Sequence, residues 1–426
     1  MKGTSIGEVT HEISKVAVVD THEHLFPEGW TSKKGPDYSV NYHVIIRERK
    51  EDEEVNLSSL LNNSYCTFGG EVVSEDWDSL GRFINKMRGR AFYRCLFRAL
   101  QELYDFHSSD IDEDNWRELS RRISVANNQK GWQKKILKDR ANIDLIIWDP
   151  YWEMGSIQVD RKILRPIFRI DPFLIGCNAS IESHDGVSPH SYAEKLKFGI
   201  QTFDDYLDFI AFAIEKNKRE GAVGVKCAIA YERSLDFQSV EKTEAQKIFG
   251  LSDDRLSDKA KKLFGDYIMH FIVQRAAQHN LPIQIHTGLG GLEGSNPMNL
   301  INLIARYPEA RFVLFHGGYP WTSQISAIAF TYLNVYLDLV WLPIISPEVA
   351  VRILHEWIEV VGADRLTWGG DCCTAEEAYG ALLTAREVVG RVLTDKIERG
   401  FLTQEAASDI AWKIFRDNAL ELYNLS

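Results

Sequence analysis

The sequence predicts an α/β chain, a (β/α)8 TIM barrel with a helical insertion after its first strand. Three observations predict it. Short apolar, β-branched runs of the kind buried in parallel sheets recur eight times. Helical stretches separate most of them, as crossovers between parallel strands require. Histidine, lysine and aspartate fall repeatedly where those runs end, which in such barrels is the functional rim.

The first strand is read at Val16–Asp20, followed at once by the polar string Thr21-His22-Glu23-His24. The rhythm then breaks. Residues 26–62 are polar, with Gly and Pro and a charge run at Arg47–Glu54; from Trp77 to Arg140 the pattern is helical. There Tyr93, Leu96, Phe97, Leu100 and Leu103 fall at helical spacing on one stripe. Residues 27–140 therefore read as a mostly helical insertion within a single domain spanning 1–426. Strands follow at Ile143–Trp148, Pro166–Ile170, Val223–Ala228, Pro282–Ile285, Arg311–Phe315, Val335–Leu339 and Leu366–Trp368. Helices are expected at 191–220, 257–279, 296–307, 321–331, 346–361, 375–398 and 403–423.

The composition narrows the function. A chain of 426 residues with 45% hydrophobic and 26% charged residues can bury a large core. A net charge of -12 disfavours nucleic acid as a partner and leaves a small-molecule substrate. No 18-residue apolar run exists to span a membrane, and the N-terminal MKGTSIGEVTHEISK lacks the apolar core of a signal peptide. The six cysteines form no C-x-x-C pair and read as reduced thiols of a cytoplasmic protein. Barrels of this size often form homo-oligomers, but no segment declares an interface.

The chemistry lies at the strand ends. His22 and His24 sit at i and i+2, so in an extended strand both imidazoles project to one face and can share a metal. His286 ends Ile283-Gln284-Ile285, and His316 ends Phe312-Val313-Leu314-Phe315 ahead of two glycines. Asp371 follows Trp368-Gly369-Gly370; it can ligate a metal or act as base toward a water, and the plain alternative is a cap on the next helix. Lys226 ends Val223-Gly224-Val225 and is either a carboxylated bridge between two metals or an ammonium that holds a substrate anion.

The order H-x-H, Lys, His, His, Asp resembles the amidohydrolase superfamily. Within it, Lys226–Arg233, Gln284–Gly288 and His316–Thr322 with Tyr336-Leu337-Asp338 are most similar to the amidohydrolase-like domain fused to glutamine synthetase in some fungi and plants. The helical insertion and Phe168-Arg169-Ile170-Asp171 resemble uronate isomerases, which lack a lysine at the fourth strand. The resemblance implies His22, His24 and Asp371 as ligands of a first metal, with His286 completing that site. Alternatively a carboxylated Lys226 bridges two metals, and His286 and His316 hold the second. Zinc suits this ligand set, with manganese or iron as substitutes. With one metal, His316 is left to polarise a carbonyl or carry a proton. Arg169 and Arg233 are candidate grips for a substrate carboxylate, and Tyr231 and Tyr319 candidate donors to an oxyanion.

The expected activity is hydrolysis of a small amide or ester. Its rivals are a metal-dependent decarboxylase or uronate-isomerase-like enzyme, and a non-catalytic, metal-stabilised binding protein.

Overall fold

The computed structural model describes residues 6–34, 44–50, 53–67, 71–155 and 159–425. They divide into two compact units. The first comprises Met1–Ile146, Trp341–Leu354 and Trp368–Arg416, the second Ile147–Val340, His355–Thr367 and Asp417–Ser426.

In the first unit, β1 (Val18–Glu23) is buried along its whole length. The sequence places its end at Asp20, but the strand runs on, because segment 368–373 supplies ladder partners past that point. Thr21 N donates to Trp368 O (3.1 Å), Asp371 N to His22 O (2.8 Å), His24 N to Cys372 O (2.9 Å) and Phe26 N to Cys373 O (3.1 Å). A polar residue can therefore lie in the strand without exposing its backbone. A hairpin that the sequence pattern does not show follows: β2 (Trp30–Lys34) pairs antiparallel with β3 (Val44–Glu48), Trp30 opposite Glu48.

Beyond it the chain is helical, at Leu57–Asn62, Trp77–Met87, Ala91–Leu103 and Trp116–Asn127. Asn56 and Ser59 form a capping box at the first of these, and Asp76 caps the second. Ala91–Leu103 buries Tyr93, Leu96, Phe97, Leu100 and Leu103, the stripe expected from its spacing. It packs on helix Ala375–Glu398 where Gly380 lacks a side chain, since a Cβ there would meet Cys95 O. Residues 35–43, 51–52 and 68–70 of the expected insertion lie outside the described residues. β4 (Ile143–Trp148) begins in this unit beside β1 and ends in the second.

The second unit is built on a six-stranded parallel sheet. Its members are β6 (Phe168–Arg169), β7 (Val225–Cys227), β8 (Ile283–Ile285), β9 (Phe312–Leu314), β10 (Val335–Asp338) and β11 (Leu366–Thr367), in chain order across the sheet. The register sets Arg169 beside Lys226, and Lys226 beside Gln284. β5 (Leu164–Pro166) precedes β6; Ile167 separates them and donates its N–H to Trp148 O (2.9 Å), so the expected third strand is bent. Ile283, Ile285, Phe312, Leu314, Leu337 and Leu366 are fully buried, as strands covered on both faces must be. Helices Phe203–Arg219 and Asp258–Gln278 cover this sheet's connections, capped by Thr202 and Ser257. Among the described residues, no helix is long and apolar enough to cross a membrane.

Candidate metal centre

The first unit gathers His22, His24 and Asp371 into one cluster. His24 Nε2 lies 3.1 Å and His22 Nε2 3.5 Å from the same oxygen, Asp371 Oδ1. The two rings meet edge to face with centroids 4.7 Å apart. Donors bound at about 2.0–2.2 Å in a tetrahedral shell sit about 3.4 Å from one another. The separations fit that shell, and two imidazoles with one carboxylate is a donor set divalent zinc accepts.

Local backbone geometry makes the cluster. Asp371 has φ +63°, in the left-handed region, which aspartate tolerates better than most residues. Gly369 and Gly370 let this segment lie against β1: a Cβ on Gly369 would sit 2.7 Å from His22 N, and one on Gly370 would overlap Glu23 Oε1. The helix-capping alternative for Asp371 does not hold, because Thr374 caps helix Ala375–Glu398 by accepting from Glu377 N.

Two acids support this arrangement: Asp20, which sequence reasoning did not assign, and Glu23, which it read as a group beside the ligands rather than a ligand. Asp20 Oδ1 accepts from His22 N (3.1 Å) and from Gly370 N (3.2 Å), tying both ligand-bearing segments together. Glu23 accepts from Cys372 N, and its carboxyl is pushed well above the usual range by burial and by Asp20 beside it. The available signal for Asp20 was its position two residues before His22.

The second unit gathers Lys226, His286, His316 and Tyr231. His316 follows β9 with φ +62°. His316 Nε2 lies 2.9 Å from His286 Nδ1, with ring centroids 4.4 Å apart. Val340 O engages His316 Nδ1 at 3.2 Å, and Leu289 O engages His286 Nε2. Carbonyls only accept, so both outer ring nitrogens carry hydrogens, and in the neutral rings the two inner nitrogens face each other with lone pairs. Burial, His316 and Lys226 push the His286 imidazole well below its ordinary value, which favours the neutral ring. Lys226 Nζ lies 3.7 Å from the centroid of the Phe315 ring, a cation–π contact. The Tyr231 ring packs on His286 with centroids 4.5 Å apart.

The remaining expected site residues are placed otherwise. Arg169 is buried against three carboxylates: Asp149 (2.6 Å), Asp171 (3.2 Å) and Asp185 (2.8 Å). His184, missed by the sequence reading, joins Asp185 (3.3 Å) to Glu232 (2.8 Å), and together with Asp171 and Asp185 it forms a second cluster of possible ligands. Arg169 already supplies a positive charge there. Arg233 is fastened to the Asp258–Gln278 helix through Asp266 and Lys262 O, and to Ser234 O and Asp236 O. These groups engage its guanidinium, which was a candidate grip for a substrate carboxylate. Tyr319 is half-buried, and its carbonyl occupies the space a Cβ on Gly288 would need.

Residues 248–425 match the family model described as Amidohydrolase. The chain is 28% identical over 364 residues to Protein fluG of Emericella nidulans, covering 79% of this chain and 41% of that protein. It thus spans about two fifths of the length of this curated relative. Two solved structures share its fold. A glucuronate isomerase from Caulobacter crescentus superposes with a TM-score of 0.74 at 15% identity, covering 99% of this chain and 94% of that one. A uronate isomerase from Thermotoga maritima superposes with a TM-score of 0.73 at 18% identity, covering 98% and 97%. The chain thus has a TIM-barrel fold like that of these isomerases, and its C-terminal part, residues 248–425, is similar to the Amidohydrolase family.

Proposed function

We propose that the chain is a metal-dependent hydrolase that cleaves a small amide or ester with water. The observation that carries this reading is the His22–His24–Asp371 triangle, whose separations suit one divalent cation. A cation held there, zinc or in its place manganese or iron, would lower the pKa of a coordinated water from about 15.7 towards 7 and act as a Lewis acid.

The protein's own groups supply the rest. The Asp371 carboxylate takes the proton of the attacking water and later passes it on. His316 polarises the substrate carbonyl or carries a proton. Lys226 acts as an ammonium, which its contact with the Phe315 face supports. Tyr231 donates to the oxyanion. One cation per chain is favoured, because Leu289 O engages the outer nitrogen of His286. We further propose a single domain with residues 27–140 as its insertion, acting in the cytoplasm on a small molecule.

The test is turnover of an amide and ester library by zinc-loaded protein in water enriched in oxygen-18. Label in the carboxyl product supports hydrolysis. Turnover without label points to decarboxylation or isomerisation. No turnover by protein that binds metal favours the binding-protein reading.

A further inference from the structure

A cavity of about 450 Å³ lies within the first unit, in the size range of small-molecule sites. It starts beside the metal cluster. Phe26 and Cys373 line it, each two residues beyond a candidate ligand, and Phe26 N donates to Cys373 O (3.1 Å). The opposite wall comes from the hairpin and the segment after the Trp116–Asn127 helix. Gln133 Nε2 holds Phe26 O (2.9 Å), and Glu28 Oε1 holds Gly131 N (2.6 Å). Trp30 and Trp132 give this wall flat apolar surface.

The charges on the wall differ in how they are engaged. The carboxylates serve protein donors: Glu54 accepts from Ser124 (3.0 Å), Glu53 from Lys50 N (2.9 Å), and Glu376 from Tyr104 (2.6 Å) and Asn127 (3.2 Å). Arg49 is anchored through its backbone, whose N–H donates to Gly29 O (2.8 Å). Its Nε is buried and has no hydrogen-bond partner among the described residues. A buried guanidinium N–H without an acceptor is unfavourable, and a carboxylate satisfies it in a charge-assisted bond. Arg169 and Arg233, the arginines that the sequence offered for this task, are bound to aspartates of their own.

We infer that this cavity receives the part of the substrate remote from the scissile bond, and that Arg49 binds a carboxylate on that part, with an aromatic or similarly flat group against Trp30 and Trp132. This rests on the hydrolase reading, but its test does not need turnover.

The zinc-loaded 426-residue chain is titrated with 4-nitrobenzoate, 4-nitrobenzamide and benzamidine, with binding read by calorimetry and tryptophan quenching. The carboxylate binds about tenfold to a hundredfold tighter than the neutral amide, the range expected of a charged hydrogen bond. Arg49→Ala abolishes that preference, Arg49→Lys restores part of it, and Trp132→Phe removes part of the quenching. Metal content is the same in all variants. A wild-type protein without the preference, a preference that survives Arg49→Ala, or tighter binding of benzamidine overturns the inference. If Arg49→Ala fails to fold, Arg49→Lys and Arg49→Gln make the same comparison. A protein that passes this test yet hydrolyses nothing has the pocket without the proposed reaction.

Discussion

Asp371 meets His22 twice: its backbone N–H donates to His22 O at 2.8 Å, and its carboxylate oxygen lies 3.5 Å from His22 Nε2. The backbone bond fixes the distance between the two segments, and the left-handed turn at Asp371 then points the carboxylate back at the imidazoles. Asp371→Asn tests this separation of roles. Asparagine also tolerates φ +63°, so the turn and the backbone bond persist while the charge is lost. The melting temperature stays close to wild type, metal is lost on dialysis, and kcat falls by about 10²–10⁴. Unfolding in place of metal loss would make Asp371 structural.

Metal stoichiometry follows from the two histidine clusters. Elemental analysis after dialysis in chelator-free buffer gives one divalent ion per chain. His24→Ala abolishes it, whereas His286→Ala retains it with reduced turnover. Two ions per chain, with the second lost in both His286→Ala and Lys226→Ala, would instead support a carboxylated lysine.

How much of this was legible in the sequence depended on distance along the chain. The parallel strands could be read because each is a short apolar run buried on both faces, and His22, His24, Lys226, His286, His316 and Asp371 stood out because each closes or follows such a run. The extension of β1 beyond Asp20 was not legible, since its ladder partners come from residues 368–373. Nor was the fate of Arg233, whose carboxylate partner Asp266 lies 33 residues on and is buried in a helix. Arg169 looked like a substrate grip because Asp149 and Asp185 are remote in sequence, 20 and 16 residues away, yet close in space. The hairpin Trp30–Glu48 was hidden by its polar composition, which masks the two-residue alternation.

Gly370 has a steric role that a single methyl group reveals. A Cβ there would overlap Glu23 Oε1, and Glu23 is itself buried and held by Cys372 N. Gly370→Ala therefore destabilises the protein by about 1–3 kcal/mol in denaturant unfolding, the usual cost of overpacking. It also weakens metal retention, because the residue lies next to Asp371. A variant with wild-type stability and metal content would show that β1 and segment 368–373 are less tightly packed than the contacts indicate.

Glu377 gives a pH signature. Its side chain is buried, accepts from Tyr65 N (2.7 Å) and Cys373 N (3.4 Å), and burial pushes its carboxyl up to about 8 despite those two bonds. In the unfolded chain the group titrates near 4.5. Between these values the folded state holds a proton that the unfolded state has released, so this residue makes stability fall as pH rises, with a slope of at most about 1.4 kcal/mol per pH unit. Below 4.5 both states are protonated and the contribution is flat; above about 8 the full penalty has accrued. Glu377→Gln mimics the protonated form and removes that slope. Urea unfolding at pH 5, 6.5 and 8 then shows the variant gaining on wild type at each step, with its greatest relative stability at pH 8. A constant difference across the three pH values would mean that Glu377 is already ionised in the folded protein, and that its two backbone donors outweigh its burial.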